Sequence, residues 1–196
     1  INWSQEHLPA ILQVTHSSQE LGNGVADVLF GDVNPAGRLV QTWPSSIDDL
    51  PPMLDYDIRH GRTYMYTSKA PLYPFGFGLS YTQFRYANLR LNKNILCQNE
   101  KTEVLVDITN IGKRDGEEVV QIYVKGKDGV QRLKAFKRVT VECGKTITVS
   151  LDLWGEDLAQ WDKDAGCFTI QTGEVEILVG ASSADIRLTT KLNILK

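Results

Sequence analysis

Asp55 and Asp57, in the stretch LDYDIRHG, are the chain's most suggestive pair of chemical groups. Two residues apart in an extended segment, they share one face at about 7 Å. That separation brings to mind a carboxylate pair flanking a glycosidic bond. Arg59 and Arg62 follow at once, however, and catalytic pairs seldom come from a single tripeptide, so a solvated, arginine-paired loop is the preferred reading. His16-Ser17-Ser18 ends an apolar run, where a site at the carboxyl edge of a sheet would lie. A serine nucleophile needs a positioned base and acid, and no GxSxG elbow is present. Glu20 is a lone acid that a helix cap accounts for. His7, His16 and His60 are far apart and lack metal-ligand spacing, and Gly22-Asn23-Gly24 has no following lysine to make a phosphate loop. Trp3, Trp43, Trp154 and Trp161 could stack on sugar rings, but burial in a core or interface is the commoner use of isolated tryptophans. On these grounds no catalytic, cofactor-binding or metal-ligating residue is assigned.

Three groups of elements must position these residues. The chain has 196 residues, enough for one large domain or two small ones. Its formal net charge of −3 argues against a nucleic-acid partner. No apolar run approaches the roughly 20 residues of a membrane span. It starts at Ile1 rather than Met, so the lack of a leader says nothing about compartment. Three widely spaced cysteines, Cys97, Cys143 and Cys167, form no disulfide framework or zinc knuckle and are expected to be small apolar core residues.

Composition changes near residue 85. All seven prolines lie at or before Pro74 and all three cysteines after Phe84. Upstream, AILQVTH (10–16) is expected to be a buried strand. Ser17 and Glu20 then form a capping box for a helix whose apolar stripe is Leu21, Val25, Val28 and Leu29. Gly31 closes that helix and Pro35 blocks its continuation. A single strand–helix unit cannot bury both faces of a sheet, so the remainder is expected upstream of Ile1 or in another chain. Residues 31–70 are loop-rich and proline-bearing, as a strap across a surface would be. From about residue 86, TEVLVDITNIG, EEVVQIYVKG, RLKAFKRVTVECG, KTITVSLDLW and GEVEILVGASS alternate apolar and polar residues. That pattern predicts an antiparallel sandwich of about seven strands, of immunoglobulin or fibronectin III type. Between the units, PLYPFGFGLSYTQF (71–84) concentrates Tyr73, Phe75, Phe77, Tyr81 and Phe84 around Gly76 and Gly78. It is either an exposed platform for a sugar or an aromatic seam between two domains. The seam is preferred, because a platform needs exposed, coplanar rings.

Several stretches together resemble glycoside hydrolase family 3. LPAILQVTHSSQELGNGVADVLFGDVNPAGRLVQTWP is similar to the end of that family's α/β sandwich domain. DYDIRHGRTYMY and PLYPFGFGLSYTQF resemble its passage into the last domain. VDITNIGKRDGEEVVQIYV, LKAFKRVTV and GEVEILVGASSADIRL resemble its fibronectin type III-like domain. The resemblance spans nearly the whole chain in order, and the DIRHGRTYMY wording is closer to the β-xylosidase and β-glucosidase branch. It implies an α/β fragment over residues 1–70, a junction over 71–85 and an all-β sandwich over 86–196. It also implies that the chain is a non-catalytic C-terminal portion of a retaining, exo-acting β-glycosidase that uses no cofactor. The expected partners are a β-glycoside or oligosaccharide substrate, met through the full-length enzyme, and an upstream barrel domain. The barrel would supply an aspartate nucleophile, and an earlier part of the sandwich domain a glutamate acid/base. Neither motif matches this chain, so Glu20, Asp55 and Asp57 inherit no role. Where relatives carry a PGQEGG-like turn, this chain has SSQELGNG (17–24). Secretion or a periplasmic location is expected from the family. The rival readings are a stand-alone carbohydrate-binding module and a purely structural module.

Overall fold

The computed structural model describes residues 1–15 and 19–195. Its core is the downstream half. Strands β1 (Phe84–Leu91), β3 (Lys101–Asn110) and β6 (Thr146–Trp154) form one sheet in the order β1-β3-β6. The second sheet, in the order β2-β10-β9-β4-β5, is built from β2 (Ile95–Leu96), β4 (Gly116–Lys125), β5 (Gln131–Val141), β9 (Gly173–Gly180) and β10 (Ile186–Ile194). A short hairpin, β7 (Gln160–Asp162) and β8 (Cys167–Thr169), stands apart from both sheets. All pairings are antiparallel except β2 with β10.

Alternation along the strands produces this sandwich. Val104, Val106 and Ile108 of β3 and Val120, Ile122 and Val124 of β4 are buried in a common cluster with Val149, Leu151, Leu153, Ile177, Val179, Leu192 and Ile194. Side chains of one parity on each strand point between the sheets, and burying each one stabilises the fold by roughly 1.5–3 kcal/mol. Asn110, at the end of β3, is fully buried. Its amide donates to the carbonyls of Arg114 and Val141, both at 2.9 Å, and its oxygen accepts from Thr82 Oγ1 at 2.6 Å. It thus closes the β3–β4 connection from inside.

The upstream half departs from expectation in several places. Helix α1 (Asn2–His7) precedes the apolar run. Residues 10–15 of the expected strand form no strand, and Ile11, Leu12 and Val14 are exposed. A strand is completed by a neighbour's backbone groups, and no other strand of the described residues pairs with this segment. Helix α2 (Leu21–Phe30) starts with Glu20 at its N-cap and without a side-chain cap bond. Glu20 therefore cannot be the third helical residue of a capping box, and Ser17 lies outside the described residues. Gly31 closes the helix at φ +84°, as expected. The apolar stripe exists, but Leu29 is 66% exposed and its neighbour Phe30 85%. The cysteines are not core residues either: Cys143 and Cys167 are exposed and Cys97 half-buried, all three as free thiols.

Candidate functional site

The carboxylate loop is built for cohesion. Asp57 caps a 3-10 turn (Ile58–His60) by accepting from the Arg59 amide. It also takes the Arg59 guanidinium at 2.6 Å. Those two bonds hold its carboxyl well below the ordinary carboxylate range. Asp55 accepts from His60 Nδ1 at 2.7 Å and from the Asp57 amide at 3.0 Å, and His60 is the leading cause of its lowered pKa. Arg62 bonds the carbonyls of Asp55 and Pro52 rather than a carboxylate. Both aspartates are thus held as anions in local pairs. A glycosidase acid needs a raised pKa, and neither aspartate has one.

The other candidates do not converge. Asn23 donates to the Glu20 carboxylate. His7 Nδ1 donates to the Trp3 carbonyl of its own helix, 2.8 Å away, and the ring stacks on that of Trp3. His16, Ser17 and Ser18 lie outside the described residues. Among the described residues no group of three or more His, Cys, Asp and Glu side chains is placed to hold a metal. The tryptophans reverse the expectation of burial: Trp3, Trp154 and Trp161 are exposed, and only Trp43 is half-buried. Lys101 lies over Trp154, and Phe168 meets Trp161 edge-on across the β7–β8 hairpin.

The aromatic segment is the best-built feature. Its backbone pairs with residues 39–43: Leu39 and Gly76 bond through Phe77 and Leu39 carbonyls at 2.8 Å each, and Trp43 donates to Tyr73 at 2.9 Å. The paired strap lies on the outer face of the five-stranded sheet. There β4 presents Gln121 and Tyr123, which alternation directs away from the core, yet they are only 3% and 0% exposed. Tyr64, from the short helix α3 (Thr63–Tyr66), fills the gap. Its ring stacks on Phe75 at 4.6 Å and meets Tyr123 edge-on at 5.9 Å. Its hydroxyl accepts from the Leu133 amide of β5 at 2.9 Å. Gln121 ties strap to sheet by donating to the carbonyls of Gly76 (3.1 Å) and Ala181 while accepting from Tyr123 OH (2.6 Å). Gly76 is left-handed at φ +81°, and a Cβ there would fall 2.1 Å from Gln121 Oε1. Only glycine fits on both counts.

At the strap's other end Arg38 pairs with Glu118 at 2.7 Å, with side chains just 9% and 4% exposed. Arg38 also donates to the carbonyls of Ala36 and Gly37. Gln121, Tyr123 and Glu118 were all missed from sequence. Only Glu118 left a signal: it shares the inward parity of Val120, Ile122 and Val124, and a carboxylate in that register demands a buried cation. Tyr73, Phe75 and Phe77 are half-buried and Phe84 is buried, while Tyr81 is 47% exposed. These rings serve as packing between the strap and the sandwich, not as an open platform.

Short helices and a paired strap packed on a fibronectin III-like sandwich define the class of fold. The profile of the glycosyl hydrolase family 3 C-terminal domain matches residues 1–81, and that of the fibronectin type III-like domain matches residues 118–183. A β-xylosidase of Formosa agariphila is 38% identical over 99% of this chain, which covers 28% of that protein. A periplasmic β-glucosidase of Salmonella typhimurium is 34% identical over 91% of this chain and 25% of its own length. The structure of β-glucosidase 3B from Thermotoga neapolitana, in complex with glycerol, superposes with TM-score 0.81 at 34% identity, covering 92% of this chain and 27% of that one. The chain belongs to glycoside hydrolase family 3 and corresponds to its C-terminal portion. It spans about a quarter of the length of the relatives it matches.

Proposed function

We propose that this chain is the non-catalytic C-terminal portion of a retaining, exo-acting β-glycosidase that removes terminal β-linked glucose or xylose by double displacement. The observation that carries the reading is the consecutive match to the two last domains of the family by a chain one quarter of its relatives' length. The exposed apolar residues of 10–15 and of α2 support it: they are what an α/β layer looks like without its neighbouring strands. In this proposal residues 1–70 complete the α/β sandwich, 71–85 form the junction and 86–196 the fibronectin III-like domain. The nucleophile and the acid/base belong to upstream parts of the parent, and Glu20, Asp55 and Asp57 keep structural roles. The parent needs no cofactor, and its place is outside the cytoplasm, secreted or periplasmic, as the name of the Salmonella relative supports. No helix among the described residues is long and apolar enough to cross a membrane.

The test is the size of the natural polypeptide in its source cells, by immunoblot against this chain. A band several times larger than 21.9 kDa is expected. A band at that size with no co-purifying partner overturns the reading in favour of a stand-alone module.

A further inference from the structure

The end of the sandwich where β4 turns into β5 gathers Lys125, Lys127, Arg132 and Lys134. A cavity of about 30 Å³ opens there, lined in part by Lys127, Arg132, Lys134, Gln160, Gln171 and Glu174. Among the described residues neither lysine has a carboxylate within ion-pair distance, though the Asp157 charge acts on Lys134. Lys127 Nζ donates to the Thr172 carbonyl at 2.9 Å, and Lys134 Nζ to the Asp157 carbonyl. Nearby acids are engaged elsewhere. Asp128 binds Arg132 at 2.7 Å, Glu174 binds Lys191 at 2.7 Å, Glu176 faces Lys125 at 4.0 Å, and the Asp157 carboxylate accepts from the Trp154 amide. The side-chain amides of Gln160 and Gln171 have no hydrogen-bond partner among the described residues. Burial first, and then the Arg132 charge, lower the Lys134 pKa, while the Asp157 charge opposes them.

We propose that this cavity is an oxyanion site, taking a carboxylate or phosphate-type group between Lys127, Lys134 and the Gln160 amide. Its size selects the ligand. A single water needs about 10–15 Å³ measured this way, so the space admits a planar carboxylate or a small oxyanion but not a pyranose ring. The body of any larger ligand must stay outside. Two sources supply such a group: an acidic sugar, such as a uronate branch on a glycan, or free phosphate. Only the uronate source rests on the glycosidase reading; the site itself rests on the cations and the free amides.

The test is titration calorimetry of this 196-residue chain at low salt with sodium glucuronate, sodium phosphate and neutral xylose. Saturable binding of glucuronate that xylose does not share is expected. So is a loss of about tenfold or more in Lys127→Met and in Gln160→Glu, since each removes or opposes a charge-assisted bond. Lys127 is exposed and Gln160 half-buried, and circular dichroism checks that both variants keep the fold. Binding of phosphate in preference to glucuronate supports the site and assigns its source to a phosphate ligand. Failure of both anions to saturate overturns the proposal, as does undiminished affinity in both variants. Either failure leaves the immunoblot result, and hence the glycosidase reading, untouched.

Discussion

Replacing Gly76 with alanine tests whether the strap is fitted to the sandwich or merely lies near it. Two costs are added at once. The left-handed backbone at φ +81° costs an L-residue about 1–2 kcal/mol. The new Cβ also falls 2.1 Å from Gln121 Oε1, so the Gln121 amide must leave its place. Its oxygen is the acceptor for the Tyr123 hydroxyl, on a fully buried ring. Stranding that hydroxyl costs a further ~1–3 kcal/mol. The sum is about 2–5 kcal/mol, which for a chain of this size lowers the melting temperature by roughly 4–20 °C. Gly61→Ala is the control. Gly61 is also left-handed, at φ +100°, but nothing lies within 4 Å of its Cβ position, so it carries the backbone cost alone. Thermal melts followed by near-ultraviolet circular dichroism of the tyrosines separate the two. Equal melting temperatures for the two variants would refute the claim that Gly76 is held by close packing on Gln121.

Three further outcomes follow from the same contacts. Phe75→Ala removes a half-buried ring stacked on Tyr64 and is expected to cost about 0.8–1.5 kcal/mol, half the value for a fully buried ring; an unchanged urea midpoint would argue against the seam. Glu118→Ala strands the Arg38 guanidinium and should cost ~3–5 kcal/mol, whereas Arg38→Met combined with Glu118→Leu should recover much of it; a double variant no better than the single one contradicts this. The carboxyls of Asp55 and Asp57 titrate below their unfolded value of 3.8, so the unfolded chain binds more protons. Their contribution is therefore complete above about pH 4 and is lost only as pH falls through the lowered folded values. Amide exchange at Asp57 and Arg59 should stay slow at about pH 4, and opening of this loop near pH 5 would show that the pairs do not hold it.

Alternation made the sandwich legible. Period two in TEVLVDITNIG puts Val104, Val106 and Ile108 on one face, and all three are fully buried. That rule works because both sheets cover each other and the pleat leaves a strand only two faces. It failed at residues 10–15 for a complementary reason. A branched apolar run states what a segment can bury, while a strand also needs a neighbour's backbone to pair with. None of the described strands supplies one there. The capping motif at Ser17 and Glu20 met a similar limit: the local pattern was present, but α2 begins after Glu20.

The seam was only half legible, and the missing half explains why. Its rings announced burial, but the surface that receives them did not. Gln121 and Tyr123 occupy outward positions of β4, where period-two reasoning expects solvent. What covers them comes from Tyr64 and Phe75, about fifty residues earlier in the chain. Nothing within EEVVQIYVKG records that cover. Glu118 is the exception, since an acid on the inward parity of a strand is a local contradiction that only a distant cation can resolve, and Arg38 resolves it. Conflicts between residue type and register are therefore the part of an interdomain contact that a sequence does disclose. Compatible pairs, such as a tyrosine under a strap, pass as ordinary surface until the strap is seen in place.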